Sequence, residues 1–311
     1  RAAESLKKVS LELGGKSPNI IFDDCNIENA VKGAISGIFA ATGQTCVAGS
    51  RIFVEESIYE EAVSALKGRA LDVASAHYKG MSLCFRGNTG DVGPAFYEPQ
   101  GFGWMRGFYG GLVLTCGMTF TGHPETDPEE ENEELGLHGR LSFLPAKNVA
   151  VDGEWEGDDY IIRIRGKMRE AIPFGTHLEL TREISMVLGE KCFRIHDRIE
   201  NHDVNRSPLM FVYHCNPGFP LLDEGTRVTI NSTLSTEWLE DKEIGPEVYA
   251  TTAAPIEEMH DDVYVHRVKA GDDGDGKVGL LNDKLGLGVY WKFPQAEIPI
   301  VNQWQHFHRG T

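Results

Sequence analysis

Ile162-Arg163-Ile164-Arg165 alternates apolar and charged side chains, the period of a strand that buries one face. Leu178-Glu179-Leu180-Thr181 and Phe193-Arg194-Ile195-His196 repeat the pattern. Asn205-Arg206-Ser207-Pro208, Pro217-Gly218 and Asp272-Asp273-Gly274 punctuate the runs with turn residues. Few stretches after residue 66 carry a helical period. The pattern predicts a mainly β fold, long enough for a large sandwich.

Upstream the texture differs. Val9, Leu11 and Leu13 alternate with Ser10 and Glu12, which predicts a short strand ended by Gly14-Gly15. Asn26 is the expected N-cap of a helix with Ile27, Val31, Ala34, Ile35 and Ile38 on one stripe, stopped by Gly43. Arg51 to Val54 reads as a strand, and Ser57 as the cap of a helix reaching about Leu66. Residues 1–66 carry 6 basic and 9 acidic side chains and 6 glycines; residues 67–311 carry 24, 38 and 29. A boundary at Leu66-Lys67-Gly68 therefore separates a small α/β fragment, 1–66, from a β region, 67–311.

The 311 residues carry a formal charge of −17, which argues against nucleic acid or an anionic membrane as partner. An apolar content of 41% permits a core, and no apolar run approaches the roughly 18 residues of a membrane helix. The six cysteines lie at least 21 residues apart, so no CxxC pair exists and reduced thiols in a cytoplasmic protein are expected. The chain opens on Arg1-Ala2-Ala3 without a signal-peptide pattern and reads as a joined piece. Glu125 to Glu134 holds seven acids in ten residues and reads as a solvated loop, because the alternating ligands of a calcium loop are missing. Gly101, Gly103 and Gly107 do not make a dinucleotide turn, since no helical pattern follows.

Cys46 sits among small residues past a helix end, with Arg51 near in sequence, and Glu12 could serve as a base for it or for a water. Taken alone, a lone Cys and a lone Glu are usually structural. Leu11-Glu12-Leu13-Gly14-Gly15-Lys16-Ser17-Pro18 and Gly43-Gln44-Thr45-Cys46-Val47-Ala48-Gly49-Ser50-Arg51, however, closely resemble the two active-site signatures of aldehyde dehydrogenases. The resemblance implies Cys46 as the nucleophile that forms a thiohemiacetal and Glu12 as the general base for deacylation. NAD(P) is expected only for a complete aldehyde dehydrogenase, because the dinucleotide-binding part of such an enzyme has no counterpart here. Gly15-Lys16-Ser17 is not a P-loop: the glycine required five residues before Gly15 is Ser10.

In the β region, His138 lies in Leu137-His138-Gly139-Arg140 and His214 in Tyr213-His214-Cys215-Asn216-Pro217-Gly218. A histidine beside such a turn can face a cleft as an acid or base, or simply bond loop backbone. His306 and His308 would share a strand face without an evident third ligand, so no metal is expected. Gly68-Arg69-Ala70-Leu71-Asp72-Val73, Gly103-Trp104-Met105-Arg106-Gly107-Phe108-Tyr109-Gly110-Gly111-Leu112, Gly136-Leu137-His138-Gly139-Arg140 and the stretch from Tyr213 to Leu222 resemble aldose 1-epimerase-like proteins of the galactose mutarotase superfamily.

That resemblance implies a β-supersandwich with a sugar cleft and no cofactor. It implies that His138 binds substrate, that His214 protonates the ring oxygen, and that Asp261 or Asp262 holds sugar hydroxyls. Arg140 and Trp104 are further substrate contacts, and the partner is a small-molecule sugar. The family's catalytic glutamate lies in a Gly-Ile-Glu-Pro motif that this chain lacks; Glu297 and Asp261 are the carboxylates left to replace it. The leading expectation is a sugar mutarotase. A non-catalytic carbohydrate-binding module and an aldehyde dehydrogenase fragment using Cys46 are the alternatives.

Overall fold

A computed structural model describes residues 18–27, 29–30, 33–34, 51–58, 71–89, 98–126, 133–238, 240–257 and 261–306. Glu12, Cys46 and the strand expected at residues 9–13 lie outside them. The chain is mainly β. It divides into two compact units, one of Arg1–Leu71, Val92–Gly107 and Cys116–Val212, the other of Asp72–Asp91, Phe108–Thr115 and Tyr213–Thr311.

The first unit is built on a four-stranded antiparallel sheet in the order Arg194–Asn201, His177–Val187, Asp159–Ala171, Lys147–Glu156. Sequence neighbours pair, as short turns dictate; Gly157 (φ 66) and Gly189 (φ 94) supply the left-handed turn conformation. Leu178 and Leu180 on one strand and Met168 on the next bury one face against Leu71, Met118, Leu141 and Ala146. Each such side chain contributes about 1.5–3 kcal/mol on leaving water. The other face is a ladder of charge. Lys167 (2.5 Å) and Arg169 clamp Glu179 and hold its carboxyl down at about 2, while Arg165 joins Asp152 (2.6 Å) and Glu183 (2.6 Å).

Pro18–Ile21 pairs in parallel with Arg51–Val54. Parallel neighbours need a crossover, and Ile27, Asn29, Ala30, Gly33 and Ala34 within it are helical. Asn26 caps this helix as expected: its Oδ1 accepts the Asn29 N–H at 3.0 Å. Arg51–Val54 is the expected strand, whereas Pro18–Ile21 was not expected.

The second unit holds two three-stranded sheets. One runs Arg227–Ile230, Asp275–Asn282, Leu287–Pro294; the other runs Ser232–Glu237, Asp261–Val268, Ile300–His306. Asp272-Asp273-Gly274 is the expected turn, with Gly274 at φ 80. On the central strand Asp261–Val268, Tyr264, His266 and Val268 are buried. Two details depart from expectation. Trp104–Gly107 forms one helical turn. The two ends of the acidic stretch pair as short antiparallel strands, Glu125–Thr126 against Glu134–Leu135. Among the described residues, no helix is long and apolar enough to cross a membrane.

Candidate functional site

In the first unit, Gly136-Leu137-His138-Gly139-Arg140 is a backbone-determined loop. A Cβ on Gly136 would collide with the Pro99 carbonyl, and one on Gly139 with the Phe120 carbonyl. His138 itself sits at φ 58, in the left-handed region that histidine enters more readily than most non-glycine residues. Its N–H donates to Gly122 O and its carbonyl accepts the Gly117 N–H, each at 2.9 Å. Trp104 meets the His138 ring edge-on at 4.8 Å and donates from Nε1 to Ser142 Oγ at 3.3 Å. At 2% exposure the indole is packing behind His138, so any part it takes in binding runs through that ring. Alanine at Gly139 is expected to cost about 2–4 kcal/mol, because strain at φ 74 adds to overpacking against backbone. Denaturant titration checks this.

Arg140 is pinned between Glu133 and Glu170, the latter at 3.2 Å. Glu170 is 7% exposed and also takes the Thr119 hydroxyl. Burial works against the Arg140 charge, but the two carboxylates outweigh it and hold its pKa above the ordinary value. Glu133, in the acidic stretch read as solvated, thus takes part in an ion pair. One group in this unit, Glu179, Glu200 and His202, brings metal-type ligand atoms within 4.8 Å of one another. Both Glu179 oxygens there are taken by Lys167 and Arg169.

In the second unit, Asn216 fixes the protonation pattern of His214. The buried Asn216 amide donates from Nδ2 to His214 O (3.0 Å) and Gly110 O (3.4 Å), so its Oδ1 faces His214 Nδ1 at 2.5 Å. An amide oxygen only accepts, so Nδ1 carries the hydrogen and Nε2 is the nitrogen that exchanges a proton. Phe108 (5.5 Å) and Trp304 (6.4 Å) meet the ring edge-on. Burial lowers the His214 pKa, with the Asn216 bond opposing. Neighbouring Cys215 is pushed up to about 12 by burial and is no nucleophile at neutral pH.

The two aspartates of the sugar-binding expectation face opposite ways. Asp261 is the register partner of His306 and accepts from its Nδ1 at 2.5 Å. Asp262 lies on the other face and hydrogen-bonds the buried Tyr264 phenol. Trp304 shares the His306 face and lies 5.5 Å from that ring. Glu297 sits in the turn before Ile300–His306, so the strand's length puts it about 20 Å from His306. His308 lies outside the described residues. Asn216 and Trp304 are neighbours of His214 that the motifs alone did not single out, whereas Phe108 belongs to an aromatic stretch that suits a sugar-stacking wall; the two-residue spacing of Trp304 and His306 was the available signal.

His214 and the fully buried His266 are both held below the usual histidine value, mainly by burial. The unfolded chain therefore binds protons first as pH falls. The stability carried by these neutral rings is complete above about pH 6.5 and is lost as pH drops through their folded values. Thermal midpoints are expected to fall between pH 7 and 5, and His266→Gln to flatten that slope. A flat wild-type profile would contradict the assignment.

Residues 1–80 match the aldehyde dehydrogenase family model. Over 70 residues the chain is 59% identical to an aldehyde dehydrogenase of Aspergillus niger, covering 22% of this chain and 14% of that enzyme. Over 66 residues it is 62% identical to retinal dehydrogenase 2 of Mus musculus, covering 21% and 13%. The chain thus spans only a small part of these relatives' length. The crystal structure of a candidate aldose 1-epimerase from Klebsiella pneumoniae matches with a TM-score of 0.71 at 24% identity, over 78% of this chain and 63% of that one. That likeness establishes a galactose mutarotase-like fold, to which an aldehyde dehydrogenase-like segment is joined. Residues 57–311 match the model of a family described as a domain of unknown function (DUF4432), and the chain belongs to that family.

Proposed function

We propose that this protein binds aldose sugars and interconverts their anomers by opening the hemiacetal ring. The observation that carries the reading is the setting of His214, whose Asn216 bond assigns Nε2 as the proton-exchanging nitrogen, on a fold shared with a candidate aldose 1-epimerase. The chemistry suits that nitrogen. A base takes the proton of the anomeric hydroxyl, the bond from the anomeric carbon to the ring oxygen breaks, and imidazolium Nε2–H protonates that oxygen. Rotation and reclosure on the other face complete the exchange without metal or redox cofactor. Phe108 and Trp304 supply apolar ring edges beside His214, and Trp304, 46% exposed, suits the C–H face of a pyranose. Cys25, Cys84, Cys192 and Cys215 are thiols rather than half-cystines, in keeping with a cytoplasmic setting.

Proton-NMR exchange between α and β anomers, run over a panel of aldoses, tests the reading. Accelerated exchange supports it. Calorimetric sugar binding without acceleration selects a non-catalytic carbohydrate-binding module instead, and neither rate nor binding sinks both. The aldehyde dehydrogenase match over residues 1–80 favours a second reading, in which Cys46 acts as a thiol nucleophile with Glu12 as base. An aldehyde-mimicking electrophile is then expected to label wild type and to spare Cys46→Ser; equal labelling of both removes it.

A further inference from the structure

The edge of the four-stranded sheet in the first unit gathers groups that the sugar chemistry does not use. We propose that Glu179, Glu200 and His202, completed by His177, bind one divalent transition-metal ion of the zinc type, which clips the outermost strand Arg194–Asn201 to its neighbour His177–Val187.

The strand register builds the cluster. Glu179 and Glu200 are direct partners across the antiparallel pair, and Leu178 faces Asn201 one step further on. The next step sets His177 opposite His202, whose N–H donates to the His177 carbonyl at 2.8 Å. Side chains two residues apart on a strand share a face, so both histidines and both glutamates project from the same side of the sheet. They are far apart in sequence and meet only through this pairing, which is why no motif announces them.

The geometry suits one ion. Ligand atoms of Glu179, Glu200 and His202 lie within 4.8 Å of one another. A tetrahedral zinc with bonds of about 2.0–2.2 Å holds its ligands about 3.4 Å apart, so modest side-chain rotations close the set. The His177 ring lies 5.1 Å from the His202 ring and supplies the fourth ligand. Among the described residues, the nitrogens of these two rings make no hydrogen bond or ion pair. Two imidazoles beside two carboxylates favour zinc, copper or nickel, whereas calcium and magnesium take oxygen ligands.

Three cations compete with the ion, and all can yield. Arg198 holds Glu200 Oε1 at 2.8 Å, but its side chain is 71% exposed and such a pair costs little to break. Lys167 and Arg169, 39% and 55% exposed, cover Glu179 and can swing into water as the ion enters. Lys167 is therefore a competitor for the site rather than a part of it.

Calorimetric titration of the full chain with zinc, after stripping with a chelator and without a histidine tag, tests the assignment. One zinc per chain is expected. At free zinc about one hundred times the dissociation constant, the melting temperature is expected to rise by about 4 °C. His202→Ala and Glu200→Gln should each weaken zinc at least tenfold, since loss of even an outer-shell partner costs about 10–100-fold. Both side chains are at least partly exposed, and the zinc-free melting temperatures of these variants should stay near wild type. His196→Ala, exposed on the same strand and face, should keep full affinity. Lys167→Gln frees a Glu179 oxygen and should tighten zinc. No zinc-linked rise in melting temperature overturns the site, and so does binding that survives His202→Ala and Glu200→Gln unchanged. Calcium binding as tightly as zinc would overturn the imidazole ligands. Weaker zinc in Lys167→Gln would overturn Glu179 as a ligand and the clip with it. None of these readouts depends on anomer exchange.

Discussion

Alanine at His214 is expected to lower the anomer-exchange rate by about 10²–10⁴-fold, the usual contribution of one positioned proton donor. Sugar affinity should change little, because Phe108 and Trp304 form the apolar surroundings and remain. The pH profile adds a second handle. Burial holds the His214 pKa below the usual value, so the imidazolium that donates to the ring oxygen is depleted as pH rises through that lowered value. The rate should therefore fall on the alkaline side of a limb lying below about pH 6.5. The Asn216 bond raises the His214 pKa. Removing it with Asn216→Ala should move the same limb to still lower pH, the opposite of what simple loosening of the pocket would do. Proton-NMR exchange across pH 5 to 8 reads all three proteins, and a His214→Ala variant with the wild-type rate would end the acid assignment.

The fold was legible where one face of a strand is apolar and the other charged. Ile162-Arg163-Ile164-Arg165 lies in Asp159–Ala171 and Leu178-Glu179-Leu180-Thr181 in His177–Val187, adjacent strands whose register the alternation could not supply. Asn26 was legible as a cap because its chemistry is local. Pro18–Ile21 was not, since its pairing with Arg51–Val54 is 33 residues away in sequence and parallel. Charge misled at Glu179. It alternates correctly with its leucines, yet it is 2% exposed because Lys167 and Arg169 from the neighbouring strand fold over it.

The site was legible as residue types and not as pairs. His214 and Asp261 could be picked out from their motifs, but the Asn216 bond that assigns the His214 nitrogens depends on a backbone carbonyl at Gly110, far away in sequence. The choice between Asp261 and Asp262 was open because adjacent strand residues face opposite ways. Only the register against Ile300–His306 decides which of them meets His306. Trp104 shows the converse limit: an aromatic in a glycine-rich stretch reads equally as a ligand wall or as packing, and 2% exposure places it as packing.

The residue with the largest expected effect on stability broke the alternation altogether. Arg182 follows Leu178 and Leu180 on the core-facing side of its strand, and it is 1% exposed. Its register partner is Asp197, which lies in phase with Ile195 and Ile199 on the next strand. The guanidinium donates from Nε to Oδ1 (2.8 Å) and from Nη2 to Oδ2 (2.6 Å), and Nη1 donates to the Leu71 carbonyl at 2.9 Å. Such a fork matches both carboxylate oxygens at once, as an ammonium cannot. Arg182→Ala would leave a carboxylate that is only 6% exposed without its counter-charge, and the Leu71 carbonyl without its donor. Breaking a buried pair from one side costs about 3–5 kcal/mol, which for a protein of this size is a fall of roughly 5–8 °C in melting temperature. Arg182→Met combined with Asp197→Leu removes both charges and fills the space, and it should recover most of the loss. A single variant within about 1 kcal/mol of wild type in denaturant titration would mean that Asp197 finds water or another donor. Equal losses in the single and double variants would instead assign the cost to packing around Leu71.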